Sequence, residues 1–245
     1  MIHLLNHRTR LLMNLRLLAM VSLAWLPAVP TLADDIDSVG ETVVLFDGDS
    51  LDGWVGNEKL WTVEDGQIVG RTNDSDPIEK NTFLVYSGKE FGNFELTLRF
   101  KIESGNSGVQ YRSTLVDEDK FVVQGYQADI DFANTFAGIL YEEGRRGILA
   151  KRGERVTIDD DGEKLTKRMG DAQALGNGIH PGQWNDFRIV AKANHLQHYI
   201  NETLTAEVID GQTDTAAKSG VIALQLHRGP AMTVRFKDIS LRPIQ

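Results

Sequence analysis

The chain lacks cysteine altogether and holds only 6 proline residues among 245. Without a thiol there is no disulfide, no thiolate nucleophile and no cysteine-ligated zinc. Basic residues are also in short supply, with 26 Lys and Arg against 35 Asp and Glu and a net charge of -9. General nucleic-acid binding needs a basic surface that displaces counterions from phosphate, so nucleic acid is excluded as a partner. Long apolar runs are missing as well. The stretch from Leu17 to Val29 is broken by Pro27 and falls short of the ~20 residues that a membrane-spanning helix needs.

What the N-terminus does contain is a basic start, Arg8, Arg10 and Arg16 without any acid, followed by that short apolar stretch. Thr31 and Ala33 then stand at the -3 and -1 positions before Asp34 and Asp35. This is the pattern of a secretory leader. The expectation is cleavage near Ala33 and a periplasmic or secreted protein without a membrane span in its mature chain. Residues 1–33 are then the signal peptide, 34–42 a flexible lead-in and 43–243 a single domain.

The rest reads as short strands separated by turns. Leu60–Gly70 predicts a hairpin, since Asp65-Gly66 supplies the positive φ of a type I′ turn. Phe94–Glu103 alternates apolar and polar residues throughout, which predicts a strand with one face on a core. Further strands are expected at 108–114, 125–131, 137–142, 147–152, 185–192, 195–200, 203–209, 220–227 and 233–242, with one helical turn at 171–175. Many short strands and almost no helix predict an all-β sandwich or jelly roll. Trp54 and Trp61 lie in apolar strand contexts and are assigned to its core.

Strand parity separates the candidate functional residues from the core, because successive side chains point to opposite faces. Val109 and Tyr111 oppose Gln110 and Arg112, and Tyr126, Ala128 and Ile130 oppose Gln127, Asp129 and Asp131. Ile222, Leu224 and Leu226 oppose Gln225 and His227. Amides, carboxylates, guanidinium and imidazole grouped in this way suit the floor of a polar groove that binds sugar hydroxyls. Three unrelated solvated faces are the competing explanation. A retaining glucanase of this architecture places two carboxylates at alternate positions of one strand, ~5–5.5 Å apart. Here Gln127 fills the first such position, and an amide neither forms a glycosyl ester nor donates a proton; only Asp129 and Asp131 remain to pair. His195 and His198 lie on opposite faces and do not form a shared metal site.

Several segments taken in order carry a resemblance. They are Leu45-Phe46-Asp47-Gly48-Asp49-Ser50-Leu51-Asp52-Gly53-Trp54, Trp61 to Gly70, Phe91 to Phe100, Gly105-Asn106-Ser107-Gly108-Val109-Gln110-Tyr111-Arg112, Gly125-Tyr126-Gln127, Trp184 to Val190 and Phe236-Lys237-Asp238-Ile239. Over about residues 43–243 the chain resembles the 3-keto-disaccharide hydrolase domain family. The resemblance implies a concanavalin A-like lectin/glucanase jelly roll of two antiparallel sheets. It also implies hydrolysis of 3-keto-glycosides or 3-keto-disaccharides in exported bacterial carbohydrate breakdown. The family commonly shows Gly-Tyr-Glu with a Gln two residues on, whereas this chain has Gln127 and then Asp129.

A ketone at C3 acidifies the C2 hydrogen, so that a base, an enolate-stabilising group and an acid for the leaving oxygen suffice for elimination and rehydration. Asp129 is the candidate base or metal-facing carboxylate, or else a solvated strand acid, and Glu142 is the alternative carboxylate. Arg112 either fixes the keto or enolate oxygen or pairs with Asp129 or Asp131. His227 is a candidate acid, base or ligand, since imidazole ionises close to neutral pH. Gln127, Gln110, Asn106, Asp131, Tyr141 and Gln225 complete the substrate-binding set. No cofactor is required by the sequence; a divalent metal assembled from separate strands, such as by Asp129 with His227, is compatible with it. The competing class is a non-catalytic carbohydrate-binding module on the same fold.

Overall fold

The computed structural model describes residues 40–245, so the leader assigned to 1–33 and the lead-in before Gly40 lie outside the described residues. Strand formation follows the alternation. In Phe94–Ser104 the inward side chains Phe94, Leu96, Leu98, Phe100 and Ile102 are all at most 2% exposed, and Glu95, Thr97, Arg99 and Lys101 face outward. This strand sits near the middle of a ten-stranded sheet, between Asn185–Lys192 and Thr233–Pro243. The full order is Lys164–Arg168, Glu154–Ile158, Thr203–Asp210, His195–Ile200, Asn185–Lys192, Phe94–Ser104, Thr233–Pro243, Gln67–Arg71 and Trp61–Glu64, with Val43–Val44 added against Thr233–Pro243. A seven-stranded sheet packs over it in the order Gly147–Ala150, Leu140–Glu143, Val122–Asp131, Asn106–Asp117, Val221–Leu226, Thr82–Tyr86 and Trp54–Val55. All pairings within the sheets are antiparallel except that of Glu154–Ile158 with Thr203–Asp210. The result is a jelly-roll sandwich of the concanavalin A-like type.

Local signals explain most element ends. Asp65 and Gly66, at φ 49° and 73°, form the two-residue turn of the hairpin joining Trp61–Glu64 to Gln67–Arg71. Asp171 accepts the Gln173 and Ala174 N–H groups and so caps the short helix Ala172–Gly176. Besides the two-residue strands Val43–Val44 and Trp54–Val55, three strands escape a sequence reading. Thr82–Tyr86 is buried on both faces, with Phe83 and Val85 packed on Val123 and Ala223 outside the main core, and so shows no alternation. Lys164–Arg168 is a wholly exposed edge strand rich in charge, and Glu154–Ile158 lies between it and Thr203–Asp210. Among the described residues no helix is long and apolar enough to cross a membrane.

The interlayer holds the aromatic rings of Phe94, Phe100, Phe187, Phe236, Tyr111 and Tyr126, together with Trp54 and Trp61. Buried hydroxyls need partners in such a place. Tyr126 donates to Asp210 Oδ2 at 2.5 Å, and Tyr111 lies 2.9 Å from His198 Nε2. The His198 Nδ1 lies 3.1 Å from the Ile139 carbonyl, which only an N–H can satisfy, so Nε2 accepts the tyrosine proton. Burial pushes the His198 pKa down to about 3, which keeps this ring neutral. His195, by contrast, stands outside the core against Glu207 at 2.5 Å.

The two outer faces differ in kind. That of the larger sheet is covered by paired charges, among them Arg71 with Glu64, Arg235 with Glu103 at 2.9 Å, and Arg242 with Glu95 at 3.1 Å. Such pairs lie partly exposed at the protein surface, where ion pairs are worth ~0–1 kcal/mol each, and need no further role. The outer face of the smaller sheet carries buried amides and carboxylates instead.

Candidate functional site

Register brings the polar residues of the smaller sheet together. Directly opposed residues of antiparallel strands share a face, and Gln110 opposes Gln127, which in turn opposes Tyr141. One step along, Gly108 opposes Asp129, and Asn106 opposes Asp131. Gly108 is a spatial necessity. A Cβ there would lie 2.6 Å from Cδ of Gln127, so only glycine leaves room for that side chain to lie across the strand.

The amides form a directed chain. Ser113 Oγ donates to Gln110 Oε1 at 2.6 Å, Gln110 Nε2 donates to Gln127 Oε1 at 2.7 Å, and Gln127 Nε2 donates to Asp129 Oδ1 at 2.5 Å. Because Gln127 accepts from Gln110 with its oxygen, it must present its N–H to Asp129. Gln110 and Ser113 are buried beneath the surface and act as positioning residues. Asp129 is itself only 6% exposed, and burial pushes its pKa up to about 8. The hydrogen bond from Gln127 opposes that rise, while the nearby Glu143 and Asp131 carboxylates add to it.

A cavity of about 690 Å³ opens over this chain, and Asp129, Gln127, Asn106, Asp131, Tyr141 and His227 all line it. Asp129 and His227, which parity assigns to polar faces of two separate strands, thus border one space. The remaining polar lining is Glu143, Lys80, Asn81 and Arg228, with Val122, Phe136, Ile139 and Ile148 supplying apolar surface. Glu143 accepts from Asn81 Nδ2 at 3.0 Å and from Gln225 Nε2 at 3.3 Å. The Asn81 oxygen accepts the Arg228 N–H at 2.9 Å, which ties two loops across the cavity rim. His227 Nδ1 lies 2.6 Å from the Arg228 carbonyl and therefore carries a proton, leaving Nε2 free to exchange one. Asp131 supports the structure instead: it accepts the N–H groups of Ala133 (3.3 Å), Thr135 (2.8 Å) and Phe136 (3.0 Å) and so holds the following loop. Tyr141 has its pKa raised by burial and by the Glu143 and Asp129 charges.

Four of the residues expected at the site lie elsewhere. Glu142 opposes Tyr126, which points inward; its carboxylate is fully buried against Arg146, with Arg145 at 3.0 Å. The carboxylate on the cavity is the next residue, Glu143. Arg112 has φ 46° at a register shift between Tyr111 and Thr114, and this bulge defeats simple alternation. Its guanidinium is turned to the carbonyls of Gly92 (2.8 Å), Ala193 (2.6 Å) and Ala217 (3.3 Å) and to Asn93 Oδ1 (3.1 Å). It neither reaches the cavity nor pairs with Asp129 or Asp131. Gln110 and Gln225 occupy the expected face but lie under the lining residues that they orient. Among the described residues no group of three or more His, Asp and Glu side chains converges to hold a metal ion, so the pair Asp129 and His227 lacks a third ligand of that kind.

Lys80, Asn81 and Arg228 carried no sequence signal beyond polarity. For Glu143 the signal existed in principle, since the register that sets Tyr141 beside Gln127 also turns residue 143 outward.

Residues 41–242 match the sequence profile of the family described as the 3-keto-alpha-glucoside-1,2-lyase-like domain. No curated protein matches the chain. Among solved structures, a candidate glycosyl hydrolase from Parabacteroides distasonis is 19% identical, with a TM-score of 0.56 over 83% of this chain and 100% of its own. A galectin-like protein of unknown function from Bacillus subtilis is 9% identical, with a TM-score of 0.52 over 82% of this chain and 94% of its own. The laminarinase catalytic domain of Thermotoga maritima is 10% identical, with a TM-score of 0.51 over 84% and 96%. At such identities these likenesses speak for the fold alone.

Proposed function

Since the chain belongs to the 3-keto-alpha-glucoside-1,2-lyase-like domain family, a family of carbohydrate-active domains, we propose that it is an enzyme cleaving 3-keto-glycosides by elimination. The observation that carries the reading is Asp129, a buried carboxyl with its pKa raised to about 8, facing the same cavity as His227. A carboxylate that binds protons this well is a stronger base than an ordinary one.

Asp129 takes the C2 hydrogen as a proton, and the electron pair left behind forms the C2–C3 enolate. Lys80 and Arg228 are the cations lining the cavity that can balance the enolate charge. As the enolate collapses back to the ketone, C1–C2 becomes a double bond and the C1–O bond breaks. His227, protonated at Nε2 as well as Nδ1, gives the Nε2 proton to the departing oxygen. Water then adds at C1 and a proton returns to C2, so that the net change is hydrolysis. No glycosyl-enzyme ester forms, and Gln127 serves the reaction by fixing Asp129 rather than by attacking the sugar. We also propose that the enzyme works outside the cytoplasm, after removal of the leader ending at Ala33.

The test is turnover of a matched pair, 3-keto-trehalose and trehalose. The reading expects the ketone to be cleaved and the parent sugar to be bound without reaction. Binding of both without turnover of either, at any pH and with any added divalent ion, would show a carbohydrate-binding module instead.

A further inference from the structure

Two smaller hollows open off the cavity. One, about 260 Å³, shares Lys80, Asn81 and Val122 with it and continues past Glu79, Asp119 and Lys120. The other, about 330 Å³, shares Asn106, Asp131, His227 and Arg228 and continues over Phe132, Ala133, Pro230 and Met232. The groove therefore has a mixed arm, in which Glu79, Lys80, Asp119 and Lys120 stand beside Leu60, Ile78 and Phe121, and an apolar arm, and they leave the centre by different residues.

His227 borders both the central cavity and the apolar arm, whereas Asp129 borders the centre only. On the reading proposed above, the sugar carbon that loses its proton lies by Asp129 and the departing oxygen lies by His227. Whatever is attached to that oxygen then extends into the apolar arm. A second observation agrees. Phe132 is 44% exposed, yet its loop is firmly held. Its N–H donates to the Gly105 carbonyl at 3.0 Å, Asp131 takes the next N–H groups, and Arg152 grips the Asn134 and Ala137 carbonyls at 3.0 and 2.8 Å. A large ring kept in water on a fixed loop gains free energy only when something apolar covers it.

We infer that the apolar arm is the leaving-group subsite and that the enzyme selects 3-keto-glycosides of apolar or aromatic alcohols over 3-keto-disaccharides, with Phe132 as the specificity-determining residue. This rests on the proposed function. Asn106, Asp131, His227 and Arg228 stand where the arm meets the centre, and beyond them a second sugar would set its outer hydroxyls against Phe132, Pro230 and Met232, which offer no side-chain partners.

The experiment compares the KM values of 3-keto benzyl glucoside and 3-keto-trehalose in the wild type and in Phe132→Ala; KM is read rather than kcat because the anomeric hydroxyl released from trehalose is the more acidic leaving group. The wild type is expected to show the lower KM for the benzyl compound. Phe132→Ala should raise that KM by about tenfold, leave the value for 3-keto-trehalose within about twofold, and keep the wild-type melting temperature. Equal KM values in the wild type, or an equal effect of the substitution on both substrates, would overturn the inference. Should neither ketone be cleaved, the assignment of Asp129 and His227 fails instead. The subsite is then decided by equilibrium binding of the unoxidised glucosides: tighter binding of benzyl than of methyl glucoside, lost in Phe132→Ala, supports it, and equal binding refutes it.

Discussion

Asp129→Asn is expected to lower kcat on a 3-keto-glycoside by about 10³-fold, the scale of a lost general base, while making the protein more stable at alkaline pH. Both halves come from the same buried carboxyl. Asn fits the site, because its oxygen still accepts from Gln127 Nε2 as Asp129 Oδ1 does. It cannot take a proton from carbon. On the stability side, Asp129 has a pKa of about 8 in the fold against ~3.9 in an unfolded chain. Between those values the folded state holds a proton that the unfolded state has lost, so stability falls as pH rises through this window and is complete only below it. The amide has no such penalty. Each unit of difference is worth ~1.4 kcal/mol, so thermal unfolding at pH 9 should show the variant melting above the wild type. The gap should shrink on acidification and close near pH 4. An unchanged kcat would remove Asp129 from the chemistry, and a variant that melts lower at pH 9 would contradict the burial argument. A functional group held at a cost to stability is a common trade in enzymes.

Arg112→Met should do the reverse, unfolding the protein readily while leaving each folded molecule active. Arg112 is 2% exposed and gathers three carbonyls and one side-chain oxygen from segments around residues 92–93, 193 and 217. Removing the donor leaves these acceptors unpaired in a place that water reaches poorly, at a loss of about 3 kcal/mol or more. Urea unfolding at pH 7 gives the stability change, and kcat per folded molecule gives the activity. A variant of wild-type stability whose kcat has collapsed would return Arg112 to the enolate-binding role that its place in the strand suggests.

The contrast between these two residues marks how far the sequence can be read. Asp129 was legible because its strand alternates from Gln127 to Asp131, and His227 because it stands one residue beyond Val221–Leu226 and keeps the parity of Gln225, past the register shift at Val221–Ala223. The same reasoning misplaced Arg112 because a bulge after Tyr111 inserts a left-handed residue, and neither composition nor spacing announces it. Glu142 and Glu143 are adjacent acids in a strand of only four residues, Leu140–Glu143, whose face is decided by its pairing partner. A one-residue choice there reverses inside and outside. Lys80, Asn81, Arg228 and Phe132 come from loops, where position depends on contacts such as those of Asp131 and Asn81 rather than on a period. Strand regions gave up the floor of the cavity, and loops kept the rim.

The claim on which the mechanism stands is that the hydrogen on C2 leaves as a proton. Cleavage of a 3-keto-glycoside in D₂O, with the released keto sugar analysed for deuterium, measures this directly against a control without enzyme. The account predicts deuterium at C2 of each released sugar molecule, formed at the rate of cleavage and lost together with cleavage in Asp129→Asn. Release of a sugar that keeps its original C2 hydrogen, together with the absence of a primary isotope effect on cleavage of the C2-deuterated substrate, would contradict elimination and point to direct displacement at C1.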